Sequence, residues 1–88
     1  MPADRVLEPL ALVSECLECE PSSLSHDAAL GVHPKWDSLG HLRIMMALEG
    51  QYGVAISDET IRHYDNLAAI VARYDELTKN KLQAGHDA

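Results

Sequence analysis

Apolar residues recur at three- and four-residue spacing along most of the chain, which is the period of an amphipathic α-helix. The pattern predicts four helices. The first covers about 9–19, the second covers 38–52, the short third starts after Ser57 and stops near Tyr64, and the fourth starts after Asn66. No segment alternates apolar and polar residues as a strand would. The predicted fold class is therefore all-α: a small bundle of three longer helices and one short helix.

The same spacing predicts which positions face the core. They are Leu10, Val13 and Leu17 in the first helix, Ile44, Met45, Leu48 and Tyr52 in the second, and Leu67, Ile70, Val71, Tyr74 and Leu77 in the fourth. The chain has no Phe and a single Trp, so we expect an aliphatic core. Asp37 or Ser38 can cap the start of the second helix, and Gly53 suits the left-handed residue that closes it.

A long connection, about 21–37, separates the first two helices. Connections of this length are uncommon in compact domains and are often functional. Leu24 and Leu30 are expected to hold the loop against the core, which makes it a packed segment rather than a tether.

The 88 residues predict one domain, 1–88, with an ordered core at about 6–78 and a frayed tail at 83–88. A hydrophobic fraction of 47% is enough for a compact core. The formal charge of −7 argues against nucleic acid and anionic membranes as partners. The chain has neither a membrane-spanning apolar run nor a signal-peptide pattern, so we expect a cytoplasmic monomer without stable membrane insertion.

Familiar catalytic and metal-binding patterns are incomplete. Cys16 and Cys19 have C-x-x-C spacing, but they fall in the last turn of a helix and lack a second ligand pair, so we predict no metal site and no redox centre. Ser38 and His41 could approach each other on one helix face. A serine nucleophile also needs an orienting acid and an oxyanion hole, and neither is apparent. The sequence therefore favours a carrier or interaction module over an enzyme.

Ser38 nevertheless differs from an ordinary helix cap. Asp37 could already cap the helix, and Gly40 is expected to leave open space beside the serine. A second apolar stripe, formed by Leu39, Leu42 and Met46, starts at the same place and is not needed to fold a small bundle. An anion attached to Ser38 would meet free backbone N–H groups at the positive end of the helix.

With these features, Asp37-Ser38-Leu39 resembles the Asp-Ser-Leu attachment motif of acyl carrier proteins, in which the serine carries 4′-phosphopantetheine. The likeness extends over about 6–78. It includes the long loop before the motif, the Met-Ala-Leu-Glu segment at 46–49, the Tyr-Gly-Val segment at 52–54 and the short third helix. The resemblance implies an acyl-carrier-like bundle with no catalytic activity of its own.

The resemblance also implies a cofactor and partners. A phosphopantetheinyl transferase would transfer the arm from coenzyme A to Ser38, with Asp37 and Leu39 completing the attachment site. Acyl-activating and acyl-transferring enzymes would then act on an acyl thioester at the end of the arm. The residues expected to contact these partners are Leu39, Leu42, Arg43, Met46, Glu49 and Ile61. The core around Ile44, Leu48 and Tyr52 would be the place where an acyl chain could insert.

The second helix departs from the strongly acidic one that is typical of carriers in fatty acid biosynthesis. After Ser38 it has one acid, Glu49, which Arg43 balances. This favours a specialised carrier of lipid or secondary metabolism over the housekeeping protein. Trp36 before the motif and Gly40 after it also resemble aminoacyl carriers such as the D-alanine carriers. An aminoacyl carrier and an unmodified helical interaction domain therefore stay as alternatives.

Overall fold

The fold is described from a computed structural model, which covers the backbone of residues 6–87 and the side chains of residues 6–79. Within these limits the chain forms four α-helices: α1 (Pro9–Leu17), α2 (Ser38–Tyr52), α3 (Asp58–His63) and α4 (Leu67–Asp87). The only strand-like pairing there is an isolated bridge between Ala29 and Asn66. The prediction of an all-α bundle with one short helix is confirmed.

The assignment of 1–88 to one domain stays a prediction. The frayed tail predicted at 83–88 falls on residues whose side chains lie outside the described part of the chain. Ala88 lies outside it altogether.

Both ends of α2 are capped as predicted. The Asp37 side chain accepts a hydrogen bond from the backbone N–H of Gly40 at 2.8 Å, so Asp37 rather than Ser38 is the N-cap. At the other end Gly53 adopts a left-handed conformation with φ 69°, which glycine reaches without a steric penalty. These caps fix Ser38 as the first residue of the helix.

The first helix is shorter than predicted. Glu18 takes a left-handed conformation with φ 54° and ends the helix after Leu17 rather than at Cys19. The core prediction for Leu10 is also wrong, because this side chain is 43% exposed and Leu12 is buried in its place. The face of α1 that meets the bundle is therefore turned relative to the expected stripe.

The core is not purely aliphatic, because Trp36 and Tyr52 are each only 1% exposed. The buried hydrophobic residues are Leu12, Val13, Leu17, Leu24, Ala28, Trp36, Ile44, Met45, Leu48, Tyr52, Val54, Leu67 and Ile70. All four predicted core positions of α2 are confirmed. In α4 Val71 is exposed, contrary to prediction, while Tyr74 and Leu77 pack at the margin of the core.

The long loop is ordered and packed. It contains a 3₁₀ turn, Pro21–Ser23, and it is tied to the start of α4 by two backbone bonds, Leu30 N–H to Asp65 O and Leu67 N–H to Ala28 O. Leu24 is buried as predicted, whereas the Leu30 side chain is 38% exposed and does not pack in the core, contrary to prediction. Trp36 supplies the buried anchor instead.

The N-terminal segment is clamped to the far end of α2. The backbone N–H of Leu7 donates to Gln51 Oε1 at 2.8 Å, and the Tyr52 hydroxyl donates to the Leu7 carbonyl oxygen at 2.6 Å. Burial raises the pKa of Tyr52 well above its usual range, so the phenol keeps the proton that this bond needs. Arg73 donates to the Tyr52 carbonyl oxygen at 3.0 Å and joins α4 to the same corner.

The expectation that Gly40 leaves open space beside Ser38 is wrong. A Cβ atom on Gly40 would lie 2.6 Å from Leu17 Cδ2 and 2.8 Å from the Lys35 carbonyl oxygen. The missing side chain is what allows α1 and the end of the loop to approach α2. Gly50, in the same helix, has nothing within 4 Å of its own Cβ position.

We therefore expect alanine to have opposite effects at these two positions. Gly40→Ala should lower the free energy of unfolding by about 1–3 kcal/mol, because a backbone carbonyl cannot move away easily. Gly50→Ala should raise it by about 0.5–1 kcal/mol through helix propensity alone. Urea denaturation followed by circular dichroism measures both. A stabilised Gly40→Ala variant would show that the close approach of the loop is not needed.

Candidate functional site

Ser38 stands at the start of α2 with its side chain exposed. Asp37 provides the capping oxygen, and the Ser38 hydroxyl has no hydrogen-bond partner among the described residues. A serine that served as the cap would have its oxygen occupied by a backbone N–H of the first turn. The Ser38 hydroxyl is therefore free to react or to be modified.

A cleft of about 360 Å³ opens beside this hydroxyl, between α2, α3 and the loop. Its lining residues are Leu30, Ser38, His41, Leu42, Met45 and Ile61. The structure thus brings Ser38 together with Leu42 and Ile61, two of the predicted contact residues. Leu30, His41 and Met45 belong to the same cleft and were not predicted as site residues.

His41 closes the inner side of the cleft and is only 4% exposed. Its Nδ1 atom lies 3.1 Å from the indole Nε1 of Trp36, and its Nε2 atom lies 2.7 Å from the carbonyl oxygen of Ile61. An indole N–H can only donate, so Nδ1 must accept and the ring proton must be on Nε2. The imidazole is then neutral and donates to α3, which links the loop, α2 and α3 through one side chain.

This bonding excludes His41 as a base for Ser38. Nδ1 is occupied by the donor from Trp36, and Nε2 carries a proton that points at Ile61. Asp37 is engaged with the first turn of α2, so it does not orient the imidazole. The described residues contain no arrangement that would activate the serine.

The exposed face of α2 beside Ser38 is apolar. Leu39 is 59% exposed, Leu42 51% and Met46 59%. We call these three side chains the apolar face. They lie apart from the core residues of the helix, as the pattern of two stripes predicted. An exposed apolar face of this kind, on a helix whose opposite side packs in the core, is typical of a contact surface.

Charged residues border the apolar face on two sides. Arg43 lies 3.7 Å from the carboxylate of Glu18 at the end of α1, and Glu49 is exposed one turn beyond Met46. Both partners of the Arg43–Glu18 pair are solvated, so the pair contributes little to stability. Its effect is to neutralise Arg43 at the edge of the apolar face. Whether Arg43 and Glu49 contact partners stays a prediction.

No family model matches the chain, and no curated protein sequence does either. The function must therefore be inferred from the residues themselves. Two other sets of residues could in principle carry chemistry: a serine–histidine pair in the loop and the cysteine pair.

The first set lies in an open groove of about 600 Å³ along the end of α1 and the loop. His33 Nδ1 accepts a bond from the Lys35 N–H, so the ring proton is on Nε2, which is 3.0 Å from Ser23 Oγ. The Ser23 hydroxyl in turn donates to the Glu20 carbonyl oxygen at 2.7 Å. The histidine therefore donates to the serine and cannot take its proton. This pair fastens the loop and is not a catalytic dyad.

The second set is the cysteine pair, and both thiols are free. Cys16 Sγ lies 3.6 Å from the Arg43 carbonyl oxygen, and burial, with a smaller effect from Glu15, raises the pKa of this thiol. A thiol held in its protonated form is a poor nucleophile and a poor metal ligand. Within the described residues no group of three or more potential ligands could hold a metal ion. In the same part of the chain, no helix has the length and apolar character that a membrane crossing requires.

Trp36 and His41 are the site residues that sequence reasoning missed. The sequence pattern places His41 only as a neighbour of Ser38, and Trp36 only beside the motif. A signal was present: the single Trp of the chain stands five residues before a histidine that falls on the buried side of the predicted helix. A buried histidine needs partners for both ring nitrogens.

Proposed function

We propose that this chain is an acyl carrier protein, in which 4′-phosphopantetheine is attached to Ser38 and holds an acyl group as a thioester. One observation carries the proposal. The capping bond of α2 is made by Asp37, which leaves the Ser38 hydroxyl exposed and unbonded within the described part of the chain. A serine that does not cap the helix and does not pack is free to serve as an attachment point.

The surroundings of Ser38 suit a phosphodiester. The backbone N–H groups of the first turn and the positive end of the helix dipole favour an anion at this position. The adjoining cleft, with Leu42 and Ile61 on its walls, offers apolar surface to the start of a pantetheine arm. When it is attached, the arm supplies the thiol that carries the cargo.

The lack of an activating base near Ser38 fits modification by a separate enzyme. In the proposed reaction the serine oxygen forms a bond to the β-phosphorus of coenzyme A, and 3′,5′-ADP leaves. A phosphopantetheinyl transferase would take the hydroxyl proton and supply the magnesium ion. The carrier itself would contribute the exposed oxygen and the shape of the α2 start. On this proposal the chain is not an enzyme.

The apolar face gives partner enzymes a place to dock. Leu39, Leu42 and Met46 would enter apolar pockets of the transferase and of acyl-activating and acyl-transferring enzymes. The charge of α2 is balanced, and Arg43 is paired with Glu18. Attraction to strongly basic docking patches is then weak. This supports a specialised carrier over the housekeeping carrier of fatty acid biosynthesis.

The proposal is tested by loading the apo protein. Incubation with coenzyme A, magnesium and a broad-specificity phosphopantetheinyl transferase should add one phosphopantetheine, measured by intact mass. Peptide mapping should place the addition on the peptide that contains Ser38. A chain that stays unmodified with an active transferase would count against the carrier and would favour the unmodified interaction domain.

A further inference from the structure

We propose that His41 closes the bundle interior to the cargo, so that this carrier holds a short or polar acyl group outside the helices rather than a long alkyl chain among them. This inference rests on the proposed attachment at Ser38 and narrows the class of cargo. It departs from the expectation that an acyl chain inserts around Ile44, Leu48 and Tyr52.

His41 lies close to Ser38 along α2. A chain that starts at Ser38 and enters the bundle along α2 must pass the buried residues of the helix in order. His41 is about 4.5 Å from Ser38 along the helix axis, and Leu48 is about 15 Å away, from the rise of 1.5 Å per residue. His41 also lines the cleft beside Ser38, whereas Leu48 does not. It is therefore the first buried side chain on the route inward.

The hydrogen bonds of His41 oppose the separation of α3 from α2. Its two ring nitrogens join Trp36 in the loop to the Ile61 carbonyl oxygen of α3. To let a chain through, α3 would have to move away from α2, which would leave the buried imidazole of His41 without the acceptor that Ile61 provides. A purely apolar contact between α2 and α3 could part without that penalty.

The interior behind His41 is filled. Ile44, Leu48 and Ile70 are each 0% exposed, and none of them lines the cleft at Ser38 or the groove beside α1. Of the four core residues of α2, Met45 reaches the wall of the cleft, one turn beyond His41. A long alkyl chain would have to pack among these side chains, and it reaches them only after the His41 bonds are broken. The cleft itself remains open to the base of the arm. A short acyl group, or one that carries a polar group such as an amine, would not be stabilised by burial in the interior. This is the class of cargo that the geometry fits.

The decisive experiment compares thioesters of increasing length on the full chain. Wild-type protein is loaded at Ser38 with acetyl, hexanoyl and decanoyl pantetheine, and cleavage by hydroxylamine is measured against the same acyl group on free pantetheine. For the wild type we expect equal relative rates, because none of the thioesters is withdrawn into the bundle. In His41→Ala the decanoyl thioester should be cleaved about tenfold more slowly than in the wild type, since protection follows the fraction of time spent enclosed. A decanoyl thioester already protected in the wild type would overturn the inference.

Two further variants test whether the effect of His41→Ala comes from a loss of folding. Trp36→Phe keeps an aromatic ring but removes the N–H that bonds to His41, and it should give protection between that of the wild type and His41→Ala. Val71→Ala, at an exposed position of α4 away from the apolar face, should leave the decanoyl rate unchanged. If His41→Ala and Trp36→Phe both fold and neither protects the decanoyl thioester, His41 is not what closes the interior.

A parallel measurement uses the apo protein and does not depend on loading. Decanoic acid is titrated into wild type and His41→Ala while the methyl signals of Ile44, Leu48 and Ile70 are followed by nuclear magnetic resonance. We expect shifts in the variant only. If the transferase adds nothing to Ser38, the proposed function fails, yet this titration still decides whether His41 closes the interior. Interior shifts in the wild type would refute the inference even if loading succeeds.

Discussion

Ser38→Ala is expected to abolish the addition of phosphopantetheine completely while leaving the fold intact. The Ser38 hydroxyl makes no hydrogen bond within the described residues, because Asp37 caps the helix. Its removal should therefore change the free energy of unfolding by less than about 0.5 kcal/mol. Intact mass after incubation with the transferase measures the loss of loading, and urea denaturation measures the stability.

Ser57 is the matched control, since it is also a serine at a helix start. Its hydroxyl accepts from the Thr60 N–H at 3.1 Å and forms a capping box with that residue. Ser57→Ala should be destabilised by about 1 kcal/mol and should still be loaded in full. The two serines are thus expected to separate capping from attachment. If Ser38→Ala is still loaded, Ser38 is not the attachment site. If Ser38→Ala loses much of its stability, the Ser38 hydroxyl acts as a cap.

Trp36→Ala is expected to lower the free energy of unfolding by about 3–5 kcal/mol, the range measured for large aromatic residues in protein cores. The indole is 1% exposed and packs in the core, so its removal leaves a cavity. It also leaves His41 Nδ1 buried without its donor. For a domain of this size such a loss is a large share of the total stability. Urea or thermal unfolding followed by circular dichroism gives the value.

Val32 provides the comparison for this prediction. It is a large apolar residue of the same loop but is 68% exposed. Val32→Ala should change stability by no more than about 0.5 kcal/mol. A loss below about 1 kcal/mol for Trp36→Ala would mean that the loop is not anchored through the indole.

The helices and their caps could be predicted because they depend on neighbours in sequence. Ser57 and Asn66 cap the helices that were expected to follow them, and α2 has its predicted bounds. The error in α1 has a local cause: Glu18 adopts a left-handed conformation that is rare for residues other than glycine. The Glu18 side chain gives no signal of this conformation, so the sequence pattern predicts a helix that continues to Cys19.

The geometry of the site could be predicted only in part. The exposed apolar face and the position of Ser38 follow from the helical period alone. The roles of Trp36, His41 and Gly40 depend on what lies opposite them, namely Ile61 of α3, Leu17 of α1 and the Lys35 backbone. The contacts with Ile61 and Leu17 join segments that are 20 or more residues apart in sequence. A single histidine or glycine in the sequence does not reveal them, and the sequence alone therefore predicts open space beside Gly40.

The clamp on Leu7 has a practical consequence for handling the protein. Gln51 and Tyr52, which hold this residue, are at the opposite end of α2 from Ser38, about 20 Å away along the helix axis. A surface anchor, fluorophore or affinity handle joined ahead of Leu7 would leave the domain at that far corner. Protein immobilised in this way would present Ser38 and the apolar face to solution, which suits capture of partner enzymes on a sensor surface.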